Sequence, residues 1–237
     1  MRNRSAAPGT KGFVAMHFAQ LLKSLDELLY EVMSWLIFYP VTLWRALTRP
    51  VRMMDYSDHE LGQAEAEQYV DTLRPPLFLL VSLLLAHALE LLVVGDSPLI
   101  ASHQRLAALV DDDTSLLLMR LVVFSVFPLV FATEMVRAQH RGLTRDTLRR
   151  PFYAQCYAAA PFALMMSVAG ILIQIDWFEV QLAGLALGAI TLLIFGSVQA
   201  RWFAQHLDRG LAAGFGHASI AMIGSLLLML VSAPLFA

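Results

Sequence analysis

The sequence predicts an all-α polytopic membrane protein, a five-transmembrane-helix bundle preceded by cytoplasmic amphipathic or interfacial helices. Three observations carry this reading. Apolar residues make up 58% of the 237 residues and charged residues 15%, above and below the usual shares of a soluble domain. Five runs, at about 77–95, 115–136, 152–175, 181–200 and 212–234, are almost unbroken in apolar character. At ~1.5 Å per residue, about twenty residues cross the ~30 Å hydrocarbon layer. The connections between these runs alternate between basic and neutral or acidic, as they do when a chain crosses a membrane repeatedly.

In chain order, residues 1–12 read as a basic, disordered N-terminus, with Met16 as an alternative start. Arg2, Arg4 and Lys11 resemble the charged start of a signal peptide, but no continuous apolar segment with a cleavage site follows. Residues 13–75 read as a cytoplasmic amphipathic or interfacial helical region, in which Phe13–Leu47 forms one or two amphipathic helices. Leu21, Leu22, Leu25, Leu28, Leu29, Val32 and Met33 recur at helical spacing, with Lys23, Asp26, Glu27 and Glu31 between them. Met33–Trp44 is apolar nearly all round, aromatic-rich and interrupted by Pro40. It is too short to span, so an interfacial or re-entrant helix is expected, ahead of a helix packed on the bundle or an extra span. Arg45, Arg49 and Arg52 suit a helix end at an anionic lipid surface, and Pro50 ends that helix. Ser57 and Glu60 match a capping box, which predicts a solvated or partner-facing acidic helix to about Leu73.

Residues 76–237 read as the transmembrane bundle. Eight Lys/Arg lie in residues 1–76, one (Arg105) in 96–114, five (Arg137, Arg141, Arg145, Arg149, Arg150) in 137–151, none in 176–180, and two (Arg201, Arg209) in 201–211. The positive-inside rule then puts the N-terminus in the cytoplasm and the C-terminus outside. Arginine outnumbers lysine fifteen to two, a bias of GC-rich genomes that points to a bacterial inner membrane.

Charges inside spans cost ~2.5–3.5 kcal/mol on insertion scales, so each calls for a partner or a purpose. Glu90 and Arg120 fall at similar depth on consecutive antiparallel spans, with His87 one turn from Glu90. An ion pair is expected, serving either as a staple or as a proton- or ion-sensitive site. Glu134 and Arg137 read as a second, interfacial pair. Gln174, Gln199, His206 and His217, near span ends, read as satisfied interfacial groups. Gly184, Gly188 and Gly196, then Gly210 and Gly214, form small-residue stripes. These suit packing of the fourth span on the fifth, or a homodimer seam. Pro128 and Pro161 are expected kinks. The Asp111–Asp113 run reads as solvated charge. The chemistry excluded is broad. Cys156 is the only cysteine, and no metal, nucleotide or hydrolase motif is present. No catalytic residue, cofactor or metal is expected, and a net charge of −2 gives no pull on nucleic acid.

Three segments, FYPVTLWRALTRP (38–50), RPPLFLL (74–80) and YAAAPFAL (157–164), occur in order ahead of and within the spans. In these segments and in its layout the chain resembles the Yip family, membrane proteins named for interacting with Rab-type GTPases, and its bacterial relatives. The resemblance covers roughly 35–237 and implies five spans, a cytoplasmic N-terminal region and an outside C-terminus. The acidic motif that eukaryotic members carry ahead of the first span has no clear counterpart here, so no GTPase partner is carried over. The function implied is a non-enzymatic scaffold or accessory subunit that organises lipids or partner proteins, with a protein partner or a homo-oligomer expected. The alternative is a small permease or permease subunit using His87, Glu90 and Arg120. A membrane-embedded enzyme is the remotest reading.

Overall fold

The computed structural model describes residues 10–94 and 113–232, with side chains described throughout these except at 10–23, 113–124 and isolated helical positions. The alternative start at Met16 as regards its side chain, the Asp111-Asp112 part of the acidic run and the last five residues lie outside that description, as do residues 1–9. The described chain is helical: α1 (Thr10–Thr48), α2 (Pro50–Glu60), a 3-10 turn (Glu65–Glu67), α3 (Pro75–Val94), α4 (Asp113–Ala138), α5 (Arg145–Ile173), α6 (Phe178–His206) and α7 (Leu211–Ser232).

Among the described residues, four helices are long and apolar enough to cross a membrane: α3, α5, α6 and the Leu211–Leu228 part of α7. They match the first, third, fourth and fifth expected spans. The expected second span falls in α4, whose first half has no described side chains, so five spans are not reached among the described residues.

α5 is the hub. It packs against α2, α3, α4 and α6, and α7 closes the far side against α4 and α6. Two apolar clusters meet on it. One joins Tyr39, Phe78, Leu79 and Leu83 to Tyr157, Ala160 and Ala163, and the other joins Met54, Phe131, Phe195, Trp202 and Phe203 to Ala154 and Ala158. The run of alanines from Ala154 to Ala163 lets four neighbours approach one helix closely. In the second cluster Phe162 stacks on Phe195 at 4.2 Å, and Phe131 meets Phe195 edge-on at 5.6 Å.

The N-terminal region sharpens two expectations and corrects a third. Of the one or two helices expected over Phe13–Leu47 there is one: α1 runs through Met33–Trp44 and through Pro40 as a single 39-residue element. Pro50 does mark the boundary of α1, but it also starts α2, at a first-turn position where its missing N–H costs nothing. The expected helix from Ser57 to Leu73 is absent. Ser57 and Glu60 lie in the last turn of α2 and are buried, and both turn to Tyr69. The Ser57 hydroxyl lies 3.3 Å from the Tyr69 hydroxyl, and Glu60 accepts the Tyr69 N–H. The groups read as a cap thus fasten the irregular segment after α2.

The two turns at the basic end are tight. After α4 the N–H of Arg141 bonds to Val136 O, and after α6 the N–H of Arg209 bonds to Ala204 O. Such closures need a left-handed residue, supplied here by His140 (φ 55°) and Asp208 (φ 51°). α5 then begins after Thr144, whose hydroxyl accepts the Thr147 N–H in a reciprocal cap.

Candidate functional site

The basic end of the bundle is closed by the segment 61–74, laid between α1, α2 and α5. Its backbone cannot use helical hydrogen bonds, so side chains supply them. Tyr157 of α5 donates to Leu73 O at 2.7 Å, and the Leu73 N–H donates to the Thr42 hydroxyl of α1 at 3.1 Å. Arg45 Nη1 reaches Asp71 Oδ2 at 2.7 Å, and the Tyr56 hydroxyl donates to Asp71 Oδ1 at 2.8 Å. The hydrogen bond from Arg45 holds the Asp71 carboxyl below the usual carboxylate range, against some desolvation and with help from Tyr56. Burial pushes the Tyr69 hydroxyl up to about 12, with the Ser57 hydrogen bond opposing. Tyr69 also sits at φ 57°, a costly backbone for a bulky residue. Its buried ring and its bonds to Ser57 and Glu60 hold it there. Tyr157 anchors the segment from α5. It is fully buried, and its hydroxyl has a structural task.

α1 is fastened to this assembly along one side. Tyr39, Thr42 and Ala46 are buried, and the Tyr39 hydroxyl donates to Ser82 of α3 at 3.1 Å. The opposite side of the same helix exposes Met33, Leu36, Ile37, Val41 and Trp44 to the surroundings. One helix thus has a bonded inner face and an apolar outer one.

The polar groups within the bundle sort differently from expectation. His87 and Glu90 both lie on the buried face of α3, with Ser82, Leu83 and Ala86. Arg120 belongs to α4, but its side chain lies outside the description, and with it the Glu90–Arg120 pair. The Glu134–Arg137 pair is corrected. Glu134 Oε1 lies 2.8 Å from His217 Nδ1 of α7, while Arg137 is exposed and bridged to no acidic side chain among the described residues. On α4 the Glu134 carboxyl is turned to His217 of α7, while the Arg137 side chain stays exposed. His217 is accordingly a partner across two helices. Gln199 is also deeper than an interfacial group. It and Gln155 of α5 exchange two amide hydrogen bonds, at 2.9 and 2.7 Å, and both are buried. Gln174 bonds back to Gly170 O at the end of α5.

The glycine stripes serve two seams. Gly184 and Gly188 face α5: a Cβ on Gly184 would lie 2.9 Å from Ala169 O, and one on Gly188 3.7 Å from Ala169 Cβ. The first stripe therefore packs the fourth expected span on the third, not on the fifth. Gly214 faces α6, where a Cβ would collide with Ala200 O. A Cβ on Gly196 or Gly210 would meet nothing within 4 Å outside its own helix. Pro128 and Pro161 both lie buried inside helices that continue past them.

Among the described residues, no group of three His, Cys, Asp or Glu side chains gathers closely enough to hold a metal ion. Cys156 is fully buried. Comparison of the chain with protein-family models, with curated proteins and with solved structures gives no match.

Sequence reasoning missed Gln155, the Glu134–His217 contact and the whole 61–74 seam. Gln155 carried a usable signal, a second long amide within an apolar run. The other two depend on the relative register of distant helices, which no local pattern encodes.

Proposed function

We propose that the chain is a non-enzymatic integral membrane protein of Yip-like type, with five spans, a cytoplasmic N-terminus and an outside C-terminus, that organises lipids or partner proteins. The observation that carries this reading is α1. Its inner face is tied to α3 and the 61–74 segment through Tyr39, Thr42 and Arg45, while Met33, Leu36, Ile37 and Trp44 are presented outward. A helix held rigidly with an apolar face outward suits a lipid leaflet or another protein, and apolar patches of that kind mark such contacts. The clustering of basic residues at the same end supports a cytoplasmic placement.

Photocrosslinking residues placed at Leu36, Ile37 and Trp44, read out by mass spectrometry in native membranes, test this. Adducts to lipid or to one reproducible partner are expected, and they should disappear when the probe is moved to buried Ala46. Equal, non-selective labelling at all four positions would sink the reading.

A second reading is favoured by one observation, the burial of His87 and Glu90 together on α3. In a small permease or permease subunit these residues, with Arg120, would line a polar path. The double replacement Glu90→Gln with Arg120→Gln separates the two. A staple predicts recovery of expression lost in either single variant, whereas a transport site predicts a folded but inactive double.

A further inference from the structure

Where the end of α1 and the start of α2 lie over α5 and α6, the surface holds an apolar groove of about 170 Å³. Leu47 and Pro50 line it from the α1–α2 corner, Pro161 and Met165 from α5, and Leu187 and Val198 from α6. Thr191 is the one polar side chain in the wall, and it is 8% exposed. Apolar cavities of ~150 Å³ stay dry and take up hydrocarbon instead. From Leu187 to Val198 the groove follows α6 for ~16 Å, at ~1.5 Å per residue. That is about half of the ~30 Å hydrocarbon layer. Val198 is the lining residue nearest the basic end of α6, so the groove runs from that end to roughly the middle of the span.

Shape and charge select among apolar occupants. A partner helix, ~10–12 Å across, is too thick for a groove of this volume. A single acyl chain is thin enough, and its extent within one leaflet matches the length of the groove. Ile190 and Ile194 line the groove and are also exposed, so it opens onto the outer face of α6 that carries Leu182, Leu185 and Leu193. A chain can therefore enter sideways from lipid. At the α1–α2 corner Arg49 falls between the lining residues Leu47 and Pro50. It is exposed and bridged to no acidic side chain among the described residues, whereas Arg45 is taken up by Asp71. We infer that the groove holds one acyl chain of an anionic phospholipid from the leaflet at the basic end, with the lipid phosphate at Arg49. Guanidinium is well matched to phosphate oxygens. The inference deepens the proposed membrane role and rests on it, because the chain must come from a bilayer.

The test uses the full chain in phosphatidylcholine nanodiscs that carry a trace of phosphatidylglycerol with a diazirine midway along one acyl chain. Adducts are mapped to residues by mass spectrometry. Labelling at Met165, Leu187 or Thr191 is expected, and it should fall at least fivefold when unlabelled phosphatidylglycerol is added in tenfold excess over the probe. Labelling at Leu193, on the open face of α6, should not change. Arg49→Glu should cut groove labelling at least fivefold and spare Leu193. Thr191→Phe, which puts a ring into the groove, should do the same, and Thr191→Val should not. Arg49→Glu, at an exposed position, keeps the test decisive should Thr191→Phe not fold. Groove labelling that unlabelled phosphatidylglycerol does not displace, or that survives either variant, overturns the inference while leaving the membrane reading intact. Groove adducts absent while Leu193 is labelled, as when a second copy or another protein covers this face, overturn it too. Failure of the wild-type chain to enter nanodiscs overturns both.

Discussion

α5 and α6 are the same length and match in hydropathy over their most apolar stretches, yet they live in different surroundings. In its most apolar stretch 56% of α5 is buried within the protein, against 22% for α6. What separates them is the size and polarity of their side chains. α5 carries Ala154, Ala158, Ala159, Ala160 and Ala163 together with Gln155 and Tyr157, and all are buried. α6 turns Leu182, Leu185, Ile190, Leu193 and Ile194 outward. Lipid is as apolar as leucine, so a large aliphatic side chain gains little by leaving it, whereas a small one lets helices touch. In this fold small and polar residues mark the inside, and large apolar ones mark the boundary.

The largest test of that contrast is enlargement. Ala160→Leu in α5 should lose ~3 kcal/mol or fail to fold, since overpacking a full core costs ~1–3 kcal/mol and sometimes more. Leu193→Phe or Leu193→Ala on the outer face of α6 should unfold in detergent within ~0.5 kcal/mol of wild type. A comparable loss at both positions would break the distinction. The next largest effect lies at the glycines. Gly214→Ala drives a methyl group into the Ala200 carbonyl and should cost ~1–3 kcal/mol. Gly196→Ala, with open space around it, should be neutral or gain up to ~1 kcal/mol of helix propensity. Thermal melts of the two variants side by side check this.

The buried amide pair sharpens the comparison further. Gln155→Leu or Gln199→Leu strands the other amide and should cost ~1–2 kcal/mol, and the double Leu variant should recover much of it. Purely additive losses would show that the amides do not depend on each other.

The smallest effect belongs to the 61–74 seam. Because Asp71 is held below its unfolded value, its contribution is fully present above pH ~4 and is lost as pH falls through the folded value. The pair is exposed to solvent, with the Asp71 side chain 58% accessible, so screening limits this to ~0.2–1 kcal/mol. Asp71→Asn should flatten that part of a pH–stability profile. An unchanged acid limb would remove Asp71 from the account.

The span pattern was readable because hydropathy is a local, additive property. Four of the five runs fall on helices that are long and apolar enough to span among the described residues, and the Pro50 boundary comes from backbone chemistry alone. Partners were less readable. Ser57 and Glu60 satisfy a capping spacing whether they cap a helix or grip Tyr69, and only the tertiary position of Tyr69 decides between them. Glu134 has Arg137 nearby in sequence and His217 nearby in space, and the second required the register of α4 against α7. The alanines and Gln155 were visible, but equal hydropathy concealed that they mark a central helix.

The crowding around α5 also shapes how this sequence can drift over evolutionary time. Substitution on the outer face of α6 is constrained by little beyond apolarity, so Leu, Ile, Val and Phe should interchange there without record. Ala154–Ala163 admit almost no increase in size, because four neighbouring elements would have to move together. Any lasting signature of this lineage should therefore reside in the alanine-rich half of α5, and in the residues of 61–74 that lean on it, while the more hydrophobic spans diverge around them.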